Sequence, residues 1–294
     1  MSEPKTEAGG ALGGAWAQAR LSERDFERIA RFIQDYAGIR LPPAKHLMVE
    51  GRVRKRLREL RIPAFEAYCD LVFGPDGADE RLRLVDALTT NKTDFFREPD
   101  HFRFLAARAV PDRIQADGAG IRRPLTVWSA GCSTGEEPYT LVMVLLDAVV
   151  SRLPGFRFDV LATDLSTRVL EVARRAVYPE ERIGPVPPEM RRRHLLRSRD
   201  PSRGLVRMAP HVRRRVRFRR LNLMEDPRFR EPMDIVFCRN VMIYFERPIQ
   251  AALLEKFWRV LAPGGYLFLG HSETLTGEND RFRPVAPTVY QRLP

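Results

Sequence analysis

The chain of 294 residues is predicted to be an α/β protein. It should pair a doubly wound, mostly parallel sheet carrying a small antiparallel β insert with a preceding all-helical N-terminal domain. Three observations predict this. From Leu125 onward, short β-branched and aromatic runs alternate with helical stretches, the pattern of strand–helix crossovers. Over residues 20–90 the apolar positions recur only at helical spacing. The composition, 44% hydrophobic and 30% charged, is that of a globular protein.

Taken in order, residues 1–18 are small, polar and aperiodic, so a disordered leader is expected. The helical domain is assigned to 19–90. Ser22 with Asp25 three positions later has the form of a capping box. Phe26, Ile29, Ala30 and Ile33 follow at helical spacing as far as Gly38, a stop signal. Pro42 and Pro43 open a second helix, with Leu47, Val53, Leu57 and Leu60 toward one side and a basic face from Arg52 to Arg61. Phe65, Tyr68, Leu71 and Val72 predict a third helix, ended by Gly74 and Gly77. Leu82, Val85 and Leu88 predict a fourth. The sheet domain is assigned to 91–294, with strands at 125–130, 158–163, 234–238 and 265–270. Helices fit between them at 136–152, 168–177 and 248–261. The runs 204–208 and 212–219 alternate in polarity and are read as the antiparallel insert, at about 198–220.

Charge and composition narrow the function. Fifty Lys and Arg stand against 38 Asp and Glu, a net charge of +12. Forty-five of the fifty are arginine. Coding bias in a GC-rich genome explains the Arg/Lys ratio but not the excess charge, which suits an anionic partner. The charge concentrates at Arg52–Arg61 and between Arg191 and Arg220, where thirteen arginines accompany one acid, Asp200. The longest apolar run, 139–150, carries Asp147 and falls short of the ~20 residues of a membrane span. No basic start followed by an apolar stretch marks a secretory signal. Cys69, Cys132 and Cys238 form neither a disulfide framework nor a C-x-x-C pair, and the histidines lack H-E-x-x-H spacing. These features set aside secreted, membrane-spanning and structural-zinc classes.

The first strand ends in Ser129-Ala-Gly131-Cys-Ser-Thr-Gly135-Glu-Glu137 and enters a helix. Strand, Gly-rich turn and helix bring backbone against a nucleotide-like ligand in doubly wound folds, although ordinary tight turns share the spacing. The second strand ends at Asp164, where an acid accepts bonds from ribose hydroxyls or caps the helix that follows. A dinucleotide sets its pyrophosphate on the first helix N-terminus. Here Glu136 and Glu137 occupy that turn, repelling phosphate and attracting a cation. S-adenosylmethionine has a ribose, an ammonium and a sulfonium, and no phosphate.

Six segments then occur in one order: Asn91-Lys-Thr93-Asp-Phe-Phe-Arg97-Glu, Ser-Thr-Gly-Glu-Glu-Pro-Tyr139, Ala-Thr-Asp164, Leu-Asn222-Leu, Phe-Cys-Arg239-Asn240-Val-Met-Ile-Tyr244-Phe and Gly-His271-Ser-Glu273. From about residue 20 to the C-terminus the chain closely resembles the chemotaxis-receptor methyltransferases, the CheR family. The resemblance implies a Rossmann-like methyltransferase sheet and a cytoplasmic enzyme. Its activity would be S-adenosylmethionine-dependent methylation of chemoreceptor glutamates, giving glutamate methyl esters and S-adenosylhomocysteine without a metal. It further implies cofactor contacts from Asn91, Thr93, Arg97, Gly131 and Glu137, with Asp164 on the ribose and Asn222 and Leu223 by the adenine. Arg239 and Asn240 would lie near the methionine portion. Arg97 and Tyr244 would sit beside the transferred methyl as catalytic residues, Arg97 holding the carboxylate of substrate or cofactor.

The partner implied is the cytoplasmic coiled coil of membrane chemoreceptors. It would dock on the basic helix Arg52–Arg61, with the β insert as a second contact. Before Gly204, however, the loop Ser198-Arg-Asp-Pro-Ser-Arg203 lacks the glycines of members that bind a receptor C-terminal peptide. A monomer is expected, with neither nucleic-acid binding nor membrane insertion. Two rivals stand beside this reading. A nucleic-acid methyltransferase shares the sheet and the charge, but adenine amino methylation wants [N/D]-P-P-[Y/F] where this chain has Cys238-Arg-Asn-Val. For cytosine methylation Cys238 is a candidate nucleophile by position only, and a buried small apolar residue is the reading favoured for it. A catalytically silent cofactor-binding signalling module is the other.

Overall fold

The computed structural model describes residues 19–275 and 280–293; the leader expected at 1–18 lies outside them. The chain divides into two compact units, one ending at Thr90 and the other beginning at Asn91.

The first unit is helical: α1 (Glu23–Ala37), α2 (His46–Leu60), α3 (Phe65–Phe73) and α4 (Ala78–Leu88). Ser22 caps α1 by accepting the Asp25 N–H at 3.1 Å, and its hydroxyl donates to the Asp25 carboxylate at 2.8 Å. Gly38, at φ 72°, ends the helix by donating to the Gln34 carbonyl. The apolar faces differ in detail from the pattern expected. Helix α2 buries Val49, Val53 and Leu57, a strict i,i+4 stripe, and leaves Leu47 and Leu60 exposed. Leu71 and Leu82 are likewise exposed, whereas Cys69 and Leu84 are buried. The basic face of α2 is partly internal. Arg52 donates to the Leu88 and Thr89 carbonyls at the C-terminus of α4 (2.7 and 3.1 Å), where the helix dipole favours a cation. Arg54 pairs with the buried Glu50 and Arg56 with Glu80, at 2.5 and 2.7 Å. Lys55, Arg58 and Arg61 are exposed.

The second unit opens with α5 (Pro99–Phe104), which runs through a π turn (Leu105–Ala109) into α6 (Val110–Asp117). Strand and helix then alternate: β1 (Leu125–Ala130), α7 (Glu136–Leu145), β2 (Phe158–Asp164) and α8 (Thr167–Arg175). After β3 (Val177–Pro179), α9 (Pro188–His194), β4 (Leu195–Arg197), β5 (Leu205–Met208) and α10 (Pro210–Arg213) come β6 (Val216–Arg220) and β7 (Met233–Cys238). Helix α11 (Arg247–Val260), β8 (Leu261–Leu269), β9 (Phe282–Ala286) and β10 (Val289–Arg292) complete the unit. The main sheet has the order β6-β2-β1-β7-β8-β10-β9. Its first five strands are parallel, and β10 and β9 add an antiparallel edge. A second sheet, β3-β5-β4, is antiparallel.

One expectation is corrected. The run 204–208 does enter the antiparallel insert, as β5, but the run at 212–219 does not. Val216–Arg220 pairs in parallel with β2, from Val160↔Val216 to Asp164↔Arg220, and forms the edge of the main sheet. Its alternation reports one face on the core and one in solvent, a pattern that edge strands of parallel sheets share with hairpins.

Central strands bury both faces. Val127, Ile235, Phe237 and Phe268 belong to one core with α5, α6 and α7, whereas Trp128, Val236, Cys238 and Leu267 belong to the other with α11. Within the first core Phe237 stacks on Phe268 with centroids 4.2 Å apart. Beneath the sheet, at the start of β7, the fully buried Asp234 carboxylate accepts from Arg113 (3.1 Å), Arg123 (2.6 and 2.7 Å) and the Thr126 N–H (2.9 Å). Burial would raise its pKa, but the Arg123 hydrogen bond and the neighbouring donors hold it below the usual carboxylate range.

Candidate active site

The Gly-rich turn lies at the C-terminal end of β1, where ligands bind in doubly wound sheets. Gly131, at φ 82°, donates to the Thr163 carbonyl (2.8 Å), and a Cβ there would stand 2.5 Å from Val241 Cγ2. The turn is fastened to two candidate residues. Ser133 donates its N–H to Asp164 Oδ2 at 2.8 Å and its hydroxyl to the Asn91 carbonyl at 2.9 Å. Asp164 Oδ1 accepts the Ser166 N–H at 2.9 Å, while Ser166 itself caps α8. Asp164 thus ties the ends of β1 and β2 together; it is not the cap of the following helix. Asn222 lies one residue beyond Leu221, whose N–H reaches the Asp164 carbonyl, and Asn222 Oδ1 accepts the Met224 N–H at 3.1 Å. Leu223 lines an apolar cleft of about 190 Å³ with Phe245, Ile249 and Leu253.

The two acids that open α7 have different fates. Glu136 is buried and paired with Arg182 at 2.5 Å, and the same guanidinium donates to the Thr93 carbonyl at 2.8 Å. The attraction for a cation expected of both acids therefore falls to Glu137 alone. Glu137 Oε1 accepts the Ser129 hydroxyl at 2.7 Å, and Oε2 lies 3.6 Å from Arg239 Nη1. Burial raises the Glu137 pKa against the opposing charge of Arg239.

Arg239 joins the remaining candidates. Its side chain is buried over the ring of Phe102, lies 3.2 Å from Glu98 Oε2 and donates to the Arg97 carbonyl. Its Nε and Nη1 are buried with no hydrogen-bond partner among the described residues. Asn240, at φ 59°, donates its N–H to Glu273 at 2.7 Å, and its side-chain amide reaches Glu98 at 3.5 Å. The Arg97 side chain donates to the Lys92 carbonyl at 3.3 Å, and its charge is felt at Glu137. Phe96 and Glu98, on either side of Arg97, have φ of 54° and 57°, values rare outside glycine that concentrate where function fixes the backbone. Tyr244 closes a short 3-10 turn, Met242–Tyr244, half-buried on the loop beyond Asn240.

Sequence reasoning gave no role to Ser129, Ser133, Glu98 or Glu273, although each lies within or beside a quoted motif. Glu273 is buried and accepts the N–H groups of Asn240, Gly270 and Ile243, so one carboxylate fixes the loop that carries Arg239, Asn240 and Tyr244. Cys238 is fully buried and burial pushes its thiol pKa well up, so it presents no thiolate nucleophile.

A parallel sheet with an antiparallel edge, a glycine turn after β1 and an acid closing β2 define the class: an S-adenosylmethionine-dependent methyltransferase. The chain belongs to the CheR methyltransferase family. Residues 91–291 match the S-adenosylmethionine-binding domain of that family, and residues 24–89 match its all-alpha domain. Chemotaxis protein methyltransferase 2 of Pseudomonas aeruginosa is 40% identical over 92% of this chain and 93% of its own. The chemotaxis protein methyltransferases of Klebsiella aerogenes and Escherichia coli are each 39% identical. They cover 97% and 92% of this chain, and 94% and 91% of their own. Among the described residues no helix is long and apolar enough to cross a membrane.

Proposed function

We propose that the chain methylates glutamate side chains in the cytoplasmic coiled coil of chemoreceptors, releasing S-adenosylhomocysteine, and that it works in the cytoplasm as a monomer. Residues 91–294 carry the chemistry and residues 19–90 meet the receptor. The observation that carries the reading is the pair formed by the half-buried Glu137 and the buried Arg239. Its carboxylate and its two guanidinium nitrogens without hydrogen-bond partners match the ammonium and carboxylate of a methionine moiety.

S-adenosylmethionine supplies, when bound, an electrophilic methyl on a sulfonium. Glu137 and Arg239 hold its amino-acid end, with Asn240 beside them, and Asp164 holds its ribose. Asn222 and Leu223 border the adenine, and Asn91, Thr93 and Gly131 shape the turn against it. A glutamate of the receptor, with a pKa near 4.3, is already ionised at neutral pH and needs no base. Positioning is then the main contribution of the protein. Arg97 forks onto the attacking carboxylate, and Tyr244 orients its oxygen toward the methyl.

Lys55, Arg58 and Arg61, the exposed charges of the α2 region, supply the electrostatic dock. The test uses methyl-labelled cofactor and receptor cytoplasmic fragments. Label released as methanol by base, and lost on Glu→Ala changes at receptor sites, is the expected result. Base-stable label would overturn the ester.

A further inference from the structure

Beside the methionine end of the site stands a cluster that the transfer reaction does not use. His101 lies on α5 and His271 follows β8, 170 positions apart in sequence, and both turn a ring nitrogen toward Glu98. Glu98 Oε2 lies 3.5 Å from His101 Nδ1 and 4.0 Å from His271 Nε2, and all three atoms fall within 4.8 Å of one another. We propose that Glu98, His101 and His271 bind a divalent ion of the zinc, cobalt or nickel type, and that this ion competes with Arg239 for the Glu98 carboxylate.

Geometry and chemistry both support the site. His101 is 1% exposed, and its Nδ1 and the Glu98 Oε2 are buried without a hydrogen-bond partner among the described residues. Both ligands are oriented from behind, as metal-binding side chains commonly are. His101 Nε2 bonds the Thr288 hydroxyl at 2.9 Å, and Glu98 Oε1 accepts the His271 N–H at 3.3 Å. Tetrahedral bonds of about 2.0–2.1 Å place ligand atoms roughly 3.3 Å apart, so the histidine nitrogens, now 3.5 and 4.0 Å from Glu98 Oε2, would draw in to bind an ion. Two imidazoles and one carboxylate favour zinc, cobalt or nickel over magnesium or calcium. His271 is half exposed, which gives the ion an entrance and a solvent ligand.

Arg239 stands 3.2 Å from the same Oε2. An ion there exchanges the Arg239–Glu98 pair for a metal–carboxylate bond, loosening the guanidinium assigned above to the cofactor. Metal binding does not depend on that assignment; the competition rests on it.

The experiment titrates the full-length protein with cobalt and zinc chloride, following heat and the visible absorption of bound cobalt. Wild-type protein should take up one ion, the His271→Ala variant should bind at least ten-fold more weakly, and the His211→Ala variant should match wild type. Saturating zinc should weaken equilibrium binding of S-adenosylmethionine several-fold in wild type and leave His271→Ala unaffected. No one-to-one uptake by wild type, or equal affinity in His271→Ala, overturns the site. Uptake that leaves cofactor binding unchanged overturns the competition. Neither readout requires a receptor, so failure here is distinct from failure of the methylation assay.

Discussion

At Arg97 the backbone is fixed on both sides by left-handed residues and by its carbonyl accepting from Arg239, while among the described residues the guanidinium donates to the Lys92 carbonyl alone. A side chain so lightly held beside a rigid frame suits a substrate that arrives and leaves. Arg97→Lys keeps the charge and loses the two-pronged fork. We expect kcat to fall about 10- to 100-fold, some 1.4–2.7 kcal/mol of barrier, with cofactor affinity little changed; wild-type turnover in a receptor assay would defeat the role. Glu137 makes a complementary prediction. Its carboxylate must be ionised to hold an ammonium, and its pKa is raised by burial. Cofactor affinity should therefore begin to fall, on acidification, above the usual carboxylate pKa of about 4.3. Glu137→Gln should bind at least ten-fold more weakly at neutral pH and lose that acid limb, measured by calorimetry across pH. Residues such as Glu137 and Asp164 were legible because they sit at fixed offsets from strand ends. Glu98 and His101 were not, because their partners Arg239 and His271 lie 141 and 170 positions away and only the closed sheet joins them.

Short β-branched and aromatic runs between helical stretches mark β1, β2, β7 and β8 in the sequence. The edges were harder. β6 alternates like a hairpin strand, and β9 and β10 are short segments with exposed or half-buried positions that no sequence run singled out. Helices α5 and α6 escaped as well, since Pro111 stands near the junction that the π turn accommodates. The cluster at Asp234 adds a side-chain tie to the strand pairing of the central elements. One carboxylate there joins α6, through Arg113, to the starts of β1 and β7. Asp234→Asn leaves Arg113 and Arg123 with the half-exposed Asp117 as their remaining counter-charge, so the loss should fall below the about 3–5 kcal/mol of a fully broken buried pair. The folded pKa of Asp234 is depressed, so its stabilisation is complete above the unfolded value of about 3.9 and is lost as pH falls through the folded value. Denaturant unfolding should show the full penalty of the variant at pH 7 and a shrinking one below pH 4. A penalty under 1 kcal/mol at neutral pH would remove Asp234 from this role.

Across the whole molecule the +12 charge is not one surface property. Arg52, Arg54 and Arg56 serve the helical unit itself, and Arg113 and Arg123 serve the sheet. A run of basic residues in sequence therefore overstates the charge offered to a partner. In the α2 region that offer reduces to Lys55, Arg58 and Arg61. Reversing exposed charges there should act on encounter with the receptor and not on chemistry. The double variant Lys55→Glu, Arg58→Glu should leave S-adenosylmethionine affinity unchanged and raise the apparent KM for receptor fragments about ten-fold at low salt. The difference should narrow as ionic strength rises from 10 mM toward 150 mM, where the screening length shortens from about 30 to 8 Å. Arg52→Ala should behave oppositely. It removes a cation from the carbonyl end of α4, so it should lower thermal stability by about 1 kcal/mol and affect receptor methylation only near its melting temperature. A double variant that methylates receptor with wild-type KM at low salt would move the dock away from this helix, leaving the arginines between Arg191 and Arg220 as the next surface to reverse.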